Sequence, residues 1–133
     1  MAEHCVRCEV DQLLSRYAWL VDHDDFAHLG EVFTDDATFA VLVAGVEVMR
    51  WSGRTAIVEG IRTARTDTDR VHLMTNLLIV DDDSEAISST SRLVALLAPP
   101  EGAAQIVNTG IYEDVIVRNA GVLRFRSRVA TLR

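Results

Sequence analysis

The sequence predicts an α+β fold in which helices pack on one face of a curved sheet. Two observations indicate it: apolar residues recur at helical spacing early in the chain, and four long β-prone runs follow Asp69. Clusters of Asp, Pro, Gly and Asn separate these runs. Because no repeat, low-complexity segment or linker interrupts the 133 residues, we expect a single domain over residues 1–133.

The first two helices are predicted from apolar stripes. One stripe follows an i, i+3, i+4, i+7 pattern within residues 5–24. Its members are Val10, Leu13, Leu14, Tyr17, Ala18 and Val21. Asp25 is a candidate N-cap for a short second helix. Asp35 and Asp36 are interpreted as the stop of that helix.

A β-hairpin is expected next, because residues 37–43 and 46–51 are rich in β-forming side chains and flank a turn at Gly45. A third helix is predicted over residues 54–66. Its apolar stripe consists of Ile57, Ile61 and Ala64.

The second half of the chain predicts long antiparallel strands with strong turn signals between them. The strands are residues 71–80, 86–98, 105–118 and 122–132. The predicted order is therefore α-α-β-β-α-β-β-β-β.

The charge composition excludes several functions. All 13 basic residues are arginine, so neither a Schiff-base lysine nor a phosphate-binding lysine is available. The net charge of −7 at pH 7 argues against non-specific binding of nucleic acid, which needs a basic surface. We expect no nucleic-acid partner.

Neither a membrane span nor a bound metal is expected. No apolar run approaches the roughly 18 residues of a membrane helix, and the first residues do not resemble a signal peptide, so we expect a cytoplasmic protein. Cys5 and Cys8 form one Cys-x-x-Cys, and a second pair, which a zinc ribbon would need, is absent from the sequence. We interpret the pair as two thiols near the start of the first helix.

An aspartate and a histidine are candidates for one site. Asp22 lies at the edge of the first helix's buried face, one turn after Tyr17. His72 and Asn76 lie in a strand that is apolar on both faces, so both need polar partners if buried. A carboxylate that holds one imidazole nitrogen makes the other a better base. The alternative is a structural hydrogen bond, and the spacing alone leaves both open.

Three arginines alternate along the last strand. Arg124, Arg126 and Arg128 would form a solvated face, or at least one would point into a pocket and stabilise an anion.

The motifs resemble SnoaL-like proteins of the NTF2-like superfamily from about Cys8 to Leu132. The matching residues are Tyr17-x-x-x-x-Asp22-x-x-Asp25, Leu29-x-x-x-Phe33-x-x-Asp36-Ala37-x-Phe39, Gly53-Arg54-x-x-Ile57, His72-x-x-Thr75-Asn76, Gly110-x-Tyr112-x-Asp114 and Gly121-Val122-Leu123-Arg124-Phe125.

This resemblance implies a cone-shaped, cystatin-like fold: a strongly curved mixed sheet around a pocket that N-terminal helices close. The similar branch contains scytalone dehydratase, bile-acid 7α-dehydratase and hexachlorocyclohexane dehydrochlorinase, lyases with an Asp–His dyad and no cofactor. On that pattern Asp22 and His72 are the dyad, Tyr17 is the polar residue beside it, and Arg128 is the anion-stabilising arginine. An inward Arg128 would require a bulge in the last strand, because Arg124 and Arg126 share its parity.

The sequence and the resemblance together predict a cofactor-independent lyase of the dehydratase type acting on a cyclic, largely apolar small molecule. The alternatives are an isomerase or polyketide cyclase, or a non-catalytic ligand-binding or oxygenase-associated subunit. A homodimer or homotrimer is expected. The candidate apolar wall consists of Phe26, Phe33, Phe39, Met49, Trp51, Met74 and Ile111, and the candidate polar contacts are Asn76, Asn108 and Tyr112.

Overall fold

The helices and strands of the computed structural model, which describes residues 5–65 and 69–133, follow the predicted order. Helix α1 spans Val6–Asp22, α2 spans Phe26–Leu29 and is followed by a 3₁₀ turn at Gly30–Val32, and α3 spans Arg54–Ala64. The strands are β1 (Phe33–Val43), β2 (Val46–Ser52), β3 (Arg70–Asp82), β4 (Ile87–Leu97), β5 (Gln105–Asn119) and β6 (Val122–Leu132). In the described part of the chain no helix is long and apolar enough to cross a membrane.

The strands form one curved sheet in the order β2-β1-β6-β5-β4-β3. All neighbours are antiparallel except β1 and β6, which are parallel, so the sheet is mixed. Helix α1 packs against β3 and β6, and α3 packs against β1 and β2. The predicted α+β fold with a curved mixed sheet is confirmed.

Strand β1 begins earlier than the sequence predicts. It starts at Phe33 and includes Asp35 and Asp36, so their interpretation as a helix stop is wrong. Phe33 and Ala37 are fully buried, and Phe33 pairs with Phe125 of β6. This burial outweighs the low β-propensity of aspartate, which depends strongly on context. The predicted end of the third helix at residue 66, and residues 1–4, lie outside the described residues.

Two β-bulges reverse which side chains face the sheet's interior. In β3, Asn76 adopts a φ of 55° where the pairing with β4 shifts between Thr75 and Leu78. In β6 the pairing with β5 skips Arg126, so that both Phe125 and Arg128 are buried. A bulge inserts one unpaired residue and so changes the alternation beyond it. The bulge that an inward Arg128 requires is therefore present.

The two cysteines form a disulfide at the start of α1. Cys5 is the N-cap residue and its Sγ accepts a hydrogen bond of 3.1 Å from the Cys8 backbone N–H. The interpretation as two thiols is therefore wrong, although their position at the helix start agrees with the prediction.

Helix α3 approaches the β2 strand closely because it carries a glycine at the contact. An added Cβ on Gly60 would lie 2.2 Å from Cε2 of Trp51. The indole therefore occupies the space that any larger residue at position 60 would need.

We predict that Gly60→Ala lowers the free energy of unfolding by about 1–3 kcal/mol, because overpacking must displace the Trp51 ring. Urea denaturation measures this change. Thr55→Ala, at an exposed site on the same helix, is the control and should change stability by less than about 0.5 kcal/mol. Equal stability of wild type and Gly60→Ala would show that the ring moves freely.

Candidate active site

The end of α1 and the start of β3 are joined by Asp22 and His72. Oδ1 of Asp22 lies 2.6 Å from Nδ1 of His72, and Oδ2 accepts a hydrogen bond of 2.9 Å from the His72 backbone N–H. Each side chain is 14% exposed. Both carboxylate oxygens of Asp22 therefore contact His72, one at its backbone and one at its ring, and this fixes the orientation of the imidazole.

This contact determines which imidazole nitrogen is available. An ionised carboxylate only accepts hydrogen bonds, so it favours the proton on Nδ1. The lone pair then lies on Nε2, at the far side of the ring. The arrangement has the chemical form of an oriented general base.

His72 faces an apolar cavity of about 240 Å³. The cavity lies between α1, α3 and the concave face of the sheet. We call it the apolar cavity; its lining consists of Tyr17, Val21, Phe39, Val41, Met49, Trp51, Ile61, Ala64, Arg65, Arg70, His72 and Leu132.

A second cavity of about 370 Å³ lies beside it at the edge of the sheet. We call it the rim cavity; its lining consists of Ala18, Trp19, Asp22, His23, Asp69, Arg70, Val71, His72, Leu73 and Ala98. His72 and Arg70 line both cavities, so they form the boundary between the two.

Below Tyr17, a fully buried ion pair occupies the centre of the sheet. Nε and Nη2 of Arg128 donate to the two carboxylate oxygens of Asp114 at 2.8 and 3.2 Å, and neither side chain is exposed. The guanidinium carbon lies 4.4 Å from the Tyr17 ring centroid, 3.7 Å from that of Tyr112 and 4.3 Å from that of Phe125. A guanidinium stacked on three rings holds them in position.

The whole architecture has a counterpart among known proteins. A family model described as a SnoaL-like domain matches residues 2–129. The chain belongs to this SnoaL-like family. None of the curated proteins matches the sequence.

Solved structures share the fold of this SnoaL-like protein. A protein from Catenulispora acidiphila in complex with S-DNPA is 26% identical, with 96% of this chain and 92% of that chain covered and a TM-score of 0.81. An NTF2-like protein with a cystatin-like fold from Novosphingobium aromaticivorans is 22% identical, with 95% and 80% covered and a TM-score of 0.79. The β subunit of a candidate aromatic-ring-hydroxylating dioxygenase from the same species is 21% identical, with 94% and 87% covered and a TM-score of 0.79.

The structure brings only part of the predicted wall to the cavity. Phe39, Met49 and Trp51 line it, as does Tyr17. Phe33 is fully buried in the core, and Phe26 and Met74 pack against the core; these three do not line the apolar cavity.

The predicted polar contacts lie away from the apolar cavity. Asn76 is exposed, because the bulge at this residue interrupts the alternation of β3. Its strand is an edge strand with Leu73 and Leu78 exposed on the outer face, so the prediction that β3 is covered on both faces is wrong. Asn108 is half-buried opposite Ala95 in β4.

Two further candidates on β5 differ from expectation. Ile111 is 38% exposed because it points outward between the buried Gly110 and Tyr112. Tyr112 is buried against Arg128 instead of lining the cavity. Arg128 likewise has no surface on the cavity, since Tyr17 lies between them and Asp114 neutralises its charge.

Two arginines at the cavity were missed by the sequence analysis. Arg65 follows α3 directly, and Arg70 opens β3 two residues before His72. The sequence could have predicted that Arg70 lies on the same face as His72, because residues two apart on a strand share a face. No sequence signal indicates that Arg65 turns toward Asp22. In the ranges 5–65 and 69–133, no cluster of three or more His, Cys, Asp or Glu side chains could hold a metal ion.

We predict that Asp114→Asn lowers the free energy of unfolding by about 3–5 kcal/mol, because it leaves the Arg128 charge buried and unpaired. Asp35→Asn is the matched control. Asp35 also pairs with an arginine, Arg54, at 2.7 Å, but its side chain is 92% exposed, so less than about 1 kcal/mol should be lost. Chemical denaturation of both variants measures the difference, and similar losses would contradict a buried charge pair.

We also predict that the two tyrosines of the chain resist ionisation until the protein unfolds. Burial is the largest cause that raises the pKa of Tyr17 and Tyr112 above the usual 10.0. Because the raised pKa belongs to the folded state, its contribution to stability is complete below about pH 10 and is lost as the pH rises toward the folded-state pKa. Tyrosinate absorbance in a pH titration should therefore rise together with the loss of circular dichroism. Ionisation near pH 10 with the fold intact would contradict this.

Proposed function

We propose that this SnoaL-like protein is a cofactor-independent lyase of the dehydratase type. The observation that carries the proposal is the Asp22–His72 hydrogen bond, made by a histidine that lines an apolar cavity. A purely structural pair would also satisfy both groups. It would not need to line a cavity large enough for a small molecule.

The proposed reaction is an elimination next to an activating carbonyl. Nε2 of His72 takes the proton from the carbon beside the carbonyl, and the C–H electron pair becomes the new C=C bond. The hydroxyl on the adjacent carbon leaves with its bonding electrons. The imidazolium returns the proton to this group, and water is released. Asp22 stabilises the imidazolium during the step.

Tyr17 is proposed to bind the carbonyl or the leaving hydroxyl. Tyr17 lines the apolar cavity, and burial raises its pKa, so the phenol is protonated at neutral pH. Its hydroxyl also hydrogen-bonds the Tyr112 side chain, so in the proposed complex the O–H turns from Tyr112 to the substrate oxygen. Arg128 holds the Tyr17 ring from below. We therefore assign Arg128 a positioning role in place of the direct anion contact that the sequence suggested.

The cavity supports a cyclic, largely apolar substrate. Phe39 and Trp51 provide flat aromatic walls, with ring centroids 5.6 Å apart. The structurally similar protein from Catenulispora acidiphila was solved in complex with S-DNPA. An isomerase or a polyketide cyclase would use the same base without net loss of water.

A second candidate is a non-catalytic subunit of an oxygenase. The fold shared with the dioxygenase β subunit supports it. The open cavity beside His72 favours the enzyme, because a subunit that serves only assembly needs no such space. We also propose that the chain forms a homodimer or homotrimer, since apolar side chains such as Leu78 and Val80 are exposed on the edge strand β3.

The test is a screen of cyclic β-hydroxy-ketones for loss of water. We predict that His72→Gln and Asp22→Asn each lower kcat by about 10²–10⁴-fold, because the base or its orientation is lost. His28→Gln is the matched control: Nδ1 of His28 lies 2.8 Å from Asp25, but the side chain is 58% exposed and away from both cavities.

Product analysis separates the enzyme candidates. A product lighter than its substrate by one water indicates a lyase, and a product of equal mass indicates an isomerase or cyclase. Activity that persists in His72→Gln would remove the proposed base.

A further inference from the structure

The charges around the apolar cavity are opposite in sign to those of the chain as a whole. The chain carries a net charge of −7. The charged or titratable side chains that line this cavity, among the described residues, are Arg65, Arg70, His72 and the phenol of Tyr17, without any Asp or Glu. The charged side chains of the cavity wall are therefore arginines, although the wall is mostly apolar.

The positive charge of Arg65 is already paired with a carboxylate of the protein. Its Nε forms an ion pair with Asp24, and its Nη2 donates to the backbone oxygen of Asp22 at 3.0 Å. Its side chain is only 7% exposed. Arg65 therefore ties the residue after α3 to the end of α1, and its role is explained by that contact.

Arg70 is different. It is half-buried, and within residues 5–65 and 69–133 its guanidinium has no hydrogen bond or ion pair. Two carboxylates, Asp22 and Asp69, lie on the rim cavity beside it. Both oxygens of Asp22 contact His72, and among the described residues neither Asp22 nor Asp69 forms an ion pair with Arg70.

We propose that Arg70 binds a carboxylate of the substrate. This inference rests on the proposed function, and it adds the class of molecule: an apolar ring system with one anionic group. A guanidinium presents two parallel N–H donors that match the two oxygens of a carboxylate. Arg65 is paired with Asp24, so Arg70 is the arginine on this wall whose guanidinium is available to a ligand carboxylate.

The strand geometry sets where the carboxylate lies. Arg70 and His72 are two residues apart on β3 and share a face, so their Cα atoms are roughly 7 Å apart. Both side chains line the apolar cavity and the rim cavity. The substrate's carboxylate therefore binds at the boundary of the two cavities. The carbon that loses its proton lies against His72, two residues further along the strand.

The experiment compares 1-naphthaleneacetic acid with its uncharged amide by titration calorimetry. The wild-type protein should bind the acid roughly 10- to 100-fold more tightly than the amide, as expected for hydrogen bonds to a charged group. Arg70→Gln should abolish this difference. Arg92→Gln, which removes an exposed arginine of β4, should retain it.

Salt dependence is a second readout that needs no variant. The acid's affinity should fall as sodium chloride is added, and the amide's affinity should not. Equal binding of acid and amide by the wild type overturns the proposal. So does a difference that survives Arg70→Gln, and so does a lack of binding of both probes at millimolar concentration.

The experiments distinguish a failure of the carboxylate site from a failure of the proposed lyase. His72→Gln should keep the preference for the acid while it removes turnover. If the preference exists but no hydroxy-ketone reacts, the carboxylate site stands and the lyase fails. If hydroxy-ketones react equally with and without a carboxylate and Arg70→Gln leaves KM unchanged, the lyase stands and the carboxylate site fails.

Discussion

One carboxylate connects the helical layer to the edge of the sheet. Asp22 and His72 are fifty positions apart in sequence, and the two oxygens of Asp22 bind both the backbone and the ring of His72. The backbone contact satisfies an N–H at the start of an edge strand, where a neighbouring strand is missing on one side. The same contact orients the ring toward the apolar cavity. The packing of α1 on the edge strand and the orientation of the His72 ring are therefore linked through one side chain.

The Arg128–Asp114 pair adds a second constraint below the site. A buried ion pair contributes little net stability, because desolvation offsets most of the attraction. Its effect is on geometry: the guanidinium lies against the rings of Tyr17 and Tyr112 and restricts how they pack. We infer that the floor of the cavity is rigid and that adaptability lies in its wall, where Met49 is partly exposed.

Sequence patterns predicted most of the fold because its signals are local. The turn residues bounded β6 correctly, and the helical stripe placed Tyr17 on the buried face of α1. The contact of Asp22 with His72 was suggested by the need of two polar groups in apolar surroundings for partners, and the family resemblance assigned the two residues to one site. Arg70 could have been found by its strand parity with His72.

The remaining features depend on long-range pairing, which no local pattern encodes. The bulge at Asn76 changes the side that later residues face, and it arises from the pairing of β3 with β4. The pairing of Arg128 with Asp114 requires the register of β5 and β6. Strand β1 includes Asp35 because Phe33, two residues earlier, pairs with Phe125 of β6.

The residue at position 60 can change the size of the apolar cavity without changing the residues that line it. Gly60 is not part of the lining, yet it sets how far Trp51 can withdraw from the cavity. A bulkier residue there would push the indole inward and leave less room for a ligand, without any change in Asp22, His72 or the charged residues of the wall. Relatives that differ at this one helix position would therefore accept molecules of different thickness with the same chemistry.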